Sequence, residues 1–264
     1  MELRRTFLGC LATITLAGLA ATHLACKRDA PAQDTVRVAA ASDLSVAFKD
    51  IASAYEKKTG VKVVSTFGST GMLAKQIAEG AQYDVFFAAN VSFVDEVIKA
   101  GACDAATKAP YARGRIVVWT QGEPPAKLED LSDARFAKIA IANPEHAPYG
   151  KAAQQALEHA GVWETVKPKV VFGENVQQTM QYAQTGNVEA AIVALSLAIA
   201  NEGGKFLLVD DAMHKPIDQA VVACARGGNA KGGSAFAAFV NGEGRNVMRR
   251  YGFVLPGEPA VAAP

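Results

Sequence analysis

Residues 36–71 read VRVAAASDLSVAFKDIASAYEKKTGVKVVSTFGSTG, and the change of period inside this stretch decides the fold. Residues 36–40, apolar but for Arg37, read as a short buried strand. From Leu44 the apolar side chains recur at Ala47, Phe48, Ile51, Ala54 and Tyr55, one face of a helix, and Gly60 follows as its C-cap. Residues 61–67 then alternate and are rich in β-branched side chains, which marks the next strand. Strand, helix, strand is the signature of a parallel βαβ unit. The rhythm continues with a helix over 70–79 ending at Gly80, a strand at 85–88, and a helix over 91–100 ending at Gly101. Further along, strands are expected at 115–120, 139–142, 170–172, 190–194, 206–209 and 220–225. Helices are expected over about 149–160, 176–184, 234–240 and 245–251, with a small-residue tail from 256. The fold class is α/β. Two halves, each a mostly parallel sheet flanked by helices, are joined through connections near the 115–120 and 220–225 strands.

Composition narrows the function. Half of the 264 residues are apolar, 8% are aromatic, and the formal net charge is +1. No basic block or basic-aromatic stripe is present, so nucleic acid is not an expected partner. The chain begins with Arg4 and Arg5, followed by an uncharged, mostly small or apolar run from 7 to 25. That is a secretory signal pattern over 1–25. His23-Leu24-Ala25-Cys26 fits lipid attachment at Cys26, against the alternative of ordinary cleavage after a small residue such as Ala32. Residues 26–34, polar with a proline, suit a tether. Cys103 and Cys224 are the cysteines left for the body. An oxidising compartment permits them to pair, but their separation gives no sign that they meet, and two buried free thiols is the simpler expectation. No CxxC or His/Cys cluster points to zinc.

In an open α/β sheet the ligand sits beyond the carboxyl ends of the strands, at helix starts. Four loops occupy such places: 41–44 with Ser42 and Asp43, 67–71 with Ser69 and Thr70, 143–150 with Asn143, His146 and Tyr149, and 173–176 with Glu174, Asn175 and Val176. Helix N-termini carry unpaired N–H groups and the positive end of the dipole. Several converging on one point hold an anion without a cationic side chain. Taken singly, each residue has a plainer reading. Ser42 and Thr70 make good N-caps, Tyr149 a packing residue, Asn143, Glu174 and Asn175 turn or cap groups, and His146 a structural loop residue. The carboxylates of Asp43 and Glu174 suit an anion site only when turned away, with backbone alone contributing. None of the four loops contains Lys or Arg, which disfavours a charge-built phosphate site and suits a dianion held by neutral donors.

The segments 38–44, 67–77, 143–150, 173–176 and 250–253, in that order, resemble the molybdate-binding proteins of ABC importers, of the type II periplasmic binding protein fold. The resemblance covers roughly residues 35–255. It implies a two-lobed fold with the cleft between lobes, the first built from 35–114 plus 225–264 and the second from 115–224. It implies that Ser42 and Thr70 donate hydroxyl and N–H, and that Tyr149 and Val176 donate backbone N–H, to molybdate or tungstate. Some members add a tyrosine hydroxyl where this chain has Ala194; Ser196 or the Asp43 N–H are the candidate replacements, and Ser69, beside Thr70, is a further candidate donor. The metal would be met only through its oxygens, with no cofactor and no catalysis. The expected partners are the importer's membrane subunits, the expected location is extracytoplasmic, and the expected state is a monomer. The alternative on the same fold is a binder of another small anion such as sulfate. A hydrolase built on Ser42, Asp43 and His146 lacks a nucleophile elbow.

Overall fold

The computed structural model describes residues 35–259; the leader, Cys26 and the tether lie outside them. The chain runs β1 (Thr35–Ala41), a 3-10 turn (Ser42–Leu44), α1 (Ala47–Thr59), β2 (Lys62–Gly68), α2 (Thr70–Ala78), β3 (Val85–Ala88), α3 (Val91–Lys99) and β4 (Ala109–Gly114). Then come β5 (Ile116–Thr120), β6 (Ile139–Ala142), α4 (Pro148–His159), α5 (Trp163–Val166), β7 (Val170–Gly173), α6 (Val176–Gln184), β8 (Ala190–Ala194), α7 (Leu195–Ile199) and β9 (Lys205–Leu208). It ends with β10 (Ile217–Ala223), α8 (Ala230–Asn241) and α9 (Arg245–Arg250).

Two five-stranded sheets result, ordered β2-β1-β3-β10-β4 and β7-β6-β8-β5-β9. In each, the first three strands are parallel and the fourth runs against its neighbours. That opposed strand is in both cases the one the chain enters on crossing from the other sheet: β5 straight after β4, and β10 after β9. The crossings therefore lie at 114–116 and 209–216. This corrects the expected lobe limits, because the strand near 220, assigned with 115–224 to the second lobe, is hydrogen-bonded inside the first sheet. Periodicity shows that such a run is a strand, not which sheet receives it.

β4 is absent from the sequence reading because Pro110 and Gly114 break its pattern. It is an edge strand, where a missing N–H is tolerated. Val254 covers part of this edge: Arg113 N–H donates to its carbonyl at 2.7 Å and its N–H donates back at 3.1 Å. α8 is longer than expected, since Gly232 and Gly233 interrupt the apolar signal. Gly233 is required there, as a Cβ would fall 2.2 Å from the Asp84 carbonyl oxygen. α1 starts later than expected, after the 3-10 turn, and ends as read at Gly60, whose φ of 76° is the left-handed C-cap. The first lobe buries apolar side chains on both faces of its sheet. Phe87 meets Phe48 and Phe236 edge to face, with ring centroids 4.9 and 5.8 Å apart. The second lobe packs around Trp119, Ile141 and Ile192.

Cys103 and Cys224 form a disulfide, which corrects the expectation of free thiols. They face each other across an antiparallel bridge between the segment after α3 and the residue after β10, a pairing that only the tertiary fold creates. The bridge closes a loop of 121 residues. Reduction, or Cys103→Ser with Cys224→Ser, should lower unfolding free energy by about 2–4 kcal/mol. Urea titration with and without reductant measures this, and coincident curves would contradict it.

Candidate functional site

Strand ends and helix starts meet at one small cavity. Its wall is Ala41, Ser42 and Asp43 after β1; Gly68, Ser69 and Thr70 between β2 and α2; Ala89 after β3; Ala147, Pro148 and Tyr149 at α4; and Val176 at α6. Thr70 and Val176 are the first residues of their helices and Tyr149 the second, so their N–H groups have no acceptor within the helix. All three positions, and Ser42, are buried. The cavity volume is about 10 Å³, room for one small guest. Its wall contains no Lys or Arg, so the favourable field for an anion comes from N–H groups, hydroxyls and helix dipoles, opposed by the Asp43 carboxyl when that is ionised. A larger cavity of about 310 Å³ adjoins it, sharing Ala147 and Pro148. The converging helix starts belong to the smaller one.

The hydroxyls are not spent on caps. Ala41, not Ser42, stands at the N-cap of the 3-10 turn. Ser69 occupies the N-cap of α2 but makes no side-chain cap bond; its Oγ lies 2.8 Å from His146 Nδ1. Thr70 Oγ1 accepts from the Ala89 N–H at 3.2 Å, which leaves its own hydrogen to donate. The asparagines behave as plainer chemistry predicts. Asn175 accepts from the N–H groups of Gln177 and Gln178, and Asn143 from that of Glu145.

Several contacts tie the lobes together around the cavity. The Gly71 N–H donates to the His146 carbonyl at 2.9 Å, and a Cβ on Gly71 would stand 2.8 Å from that oxygen. His146 is thus a cross-cleft contact rather than a local loop residue. Asp43 is fully buried, and its Oδ2 accepts from the Tyr149 hydroxyl and from Gln219 Nε2, both at 2.8 Å. The expectation that Asp43 offers backbone alone is therefore incomplete, since its carboxylate is engaged across the cleft. Burial is the main cause that raises the Asp43 pKa, to about 6, with the Gln219 and Tyr149 bonds opposing.

The structure brings Ser42, Asp43, Ser69, Thr70, Tyr149 and Val176 to one cavity. Ser196 is not on its wall: its hydroxyl donates to the Asp43 carbonyl at 2.7 Å and is not available as a replacement donor. Ala194 ends β8 as the N-cap of α7. Gln219 was not foreseen, as nothing in the β10 run IDQAVVA marks one glutamine for function. Among the described residues no group of three or more His, Cys, Asp or Glu is placed to hold a metal ion, and no helix is long and apolar enough to cross a membrane.

Residues 36–254 match the family described as bacterial extracellular solute-binding protein. The molybdate-binding protein ModA of Azotobacter vinelandii is 36% identical over 245 residues, 90% of this chain and 95% of that protein. ModA of Rhodobacter capsulatus is 33% identical, covering 83% and 88%. Among solved structures, the periplasmic molybdate-binding protein of Azotobacter vinelandii superposes with a TM-score of 0.76 at 27% identity, over 84% of this chain and 99% of that one. The sulfate-binding protein SubI of Mycobacterium tuberculosis shares the fold, with a TM-score of 0.70 at 14% identity over 84% and 87%. With a two-lobed architecture, a small cavity without a cation on its wall and a match across nearly all the described residues, the chain belongs to the bacterial extracellular solute-binding proteins.

Proposed function

We propose that this chain captures molybdate, and tungstate with it, and delivers the anion to the membrane subunits of an ABC importer. The observation that carries this reading is the small buried cavity ringed by helix N–H groups and hydroxyls with no cation on its wall. Ser42 and Thr70 would each give hydroxyl and N–H, Tyr149 and Val176 N–H alone, with Ser69 beside them. Each charge-assisted bond contributes about 1.5–3 kcal/mol, and about 1.4 kcal/mol is a decade in affinity, so a handful suffices for tight capture. Donors come from both lobes, so only the closed state satisfies the anion, and binding selects that state. Sulfate is also a tetrahedral dianion, and cage size would separate the two. The disulfide suits an extracytoplasmic location. Attachment through a lipid on Cys26 and action as a monomer complete the proposal.

Calorimetric titration of the purified chain with molybdate, tungstate, sulfate and phosphate tests it. Molybdate and tungstate should bind most tightly, and Ser42→Ala or Thr70→Ala should each weaken them at least about tenfold. Undiminished affinity in both variants, or a preference for sulfate, would remove the assignment.

A further inference from the structure

The cavity wall holds one carboxyl group that anion capture leaves unexplained. Asp43 follows Ser42 directly and has no exposed surface. Gln219 Nε2 binds both its Oδ2, at 2.8 Å, and the Tyr149 hydroxyl oxygen, at 3.1 Å. On these same two residues a pair of buried acceptors, Asp43 Oδ1 and Gln219 Oε1, lacks a close hydrogen-bond partner. The N–H groups of Asp43 and Leu44 also face the carboxylate and favour its charged form, but burial outweighs them. Two such acceptors on bonded neighbours are matched best when one of them carries a proton. A proton on Oδ1 turns it into a donor, and Gln219 Oε1 is the acceptor that a carboxylic acid–carboxamide pair presents to it. Tyr149 is held from its other side by the crossing at Gly114, where a Cβ would fall 2.0 Å from the Tyr149 hydroxyl.

No cation is among the groups that set the Asp43 pKa; a buried arginine, Arg115, stands at the crossing beside Gly114. The titratable groups that face it are Tyr149 on α4 and Tyr111 on β4, both pushed well above the ordinary tyrosine value by burial and by Asp43 itself. α6 and α7, packed against the same turn, carry no charged residue, and Lys62 of β2 stands at the exposed far end of its strand. A dianion in the cavity adds a like charge beside the carboxylate and favours its protonated form further.

We propose that Asp43 takes up one proton as the oxyanion enters, and that the neutral carboxyl, bridged to Gln219 and Tyr149, is a positioning residue that fixes the Tyr149 N–H on the cavity. The inference rests on the oxyanion reading of that cavity. The proton passes from buffer to Oδ1, and no covalent bond to the anion forms. In the arrangement described, with Tyr149 on Asp43 and no anion present, Asp43 is about half protonated near pH 6, and the anion raises that fraction. Binding therefore tightens as pH falls from the complex's higher pKa to about 6 and levels off below. Within that window the affinity changes by up to about tenfold per pH unit.

The test is calorimetry of the full chain with sodium molybdate at pH 7, in buffers of low and high ionisation enthalpy. The dependence of the heat on buffer gives the protons bound, expected to be positive and at most about 0.9 per anion, since roughly a tenth of Asp43 is already protonated at pH 7. Asp43→Asn should bring that slope to zero and flatten the pH profile of Kd. Tyr149→Phe removes a donor from the carboxylate, leaves it more protonated beforehand, and should reduce the slope. Molybdate binding with zero slope in the unaltered chain, or an unchanged slope in Asp43→Asn, overturns the proposal and leaves the anion site standing. If Asp43→Asn does not fold, the unaltered chain and Tyr149→Phe decide it. No heat with molybdate or tungstate at all overturns the site itself.

Discussion

Val176→Pro should weaken molybdate binding by roughly ten- to a hundredfold while leaving the fold almost as stable. Val176 is the first residue of α6, the helical position at which proline is best tolerated, because its N–H has no partner within the helix. Asn175 before it is extended, with φ −149° and ψ 171°, which is the region a residue preceding proline prefers. The cap bonds from Gln177 and Gln178 to Asn175 are untouched. What disappears is one N–H on the cavity wall, and the proline ring takes its place. Calorimetry reads the Kd and thermal unfolding reads the fold. An unchanged Kd would mean that α6 does not face the anion.

Gly150→Ala should destabilise the protein by about 3 kcal/mol or more and abolish binding with it. A Cβ at Gly150 would stand 1.9 Å from the Ala142 carbonyl oxygen and 2.5 Å from its carbon. Both are backbone atoms, so no rotamer relieves the overlap. α4 has to lift from the end of β6, and Tyr149, one residue earlier, carries its N–H away from the cavity. Gly122→Ala is the control: nothing lies within 4 Å of a Cβ there, and the change should stay within about 0.5 kcal/mol. Urea unfolding of both variants separates the cases. A Gly150→Ala protein as stable as Gly122→Ala would show that α4 is free to shift.

Much of this architecture was legible because α/β order is written locally. The switch from period two to helical period between 36 and 71 needs no partner strand to be read. The strand-to-helix joints also fixed where Ser42, Thr70, Tyr149 and Val176 would stand, since each sits at or next to a helix start. Everything that depended on a distant partner was out of reach. β10 reads as a strand whichever sheet receives it. Cys103 and Cys224 meet only because β10 returns to the first lobe. Ser196 looked like a free hydroxyl until the fold set it on the Asp43 carbonyl. Tyr149 was foreseen for its backbone, while its hydroxyl finds Asp43 at a separation of 106 residues. Ser69 and His146 are likewise partners across 77 residues, and no local pattern records such a pair.

The sulfur bridge has a further consequence. β5 through β9, the entire second lobe, lie between its two ends, so that lobe is a covalent ring fastened to its neighbour. A peptidase that clips one exposed turn there, such as the stretch around Gly122, opens the ring into two arms still joined at the cystine. No fragment is shed, and a nicked molecule keeps every wall of its cavity on a single covalent body.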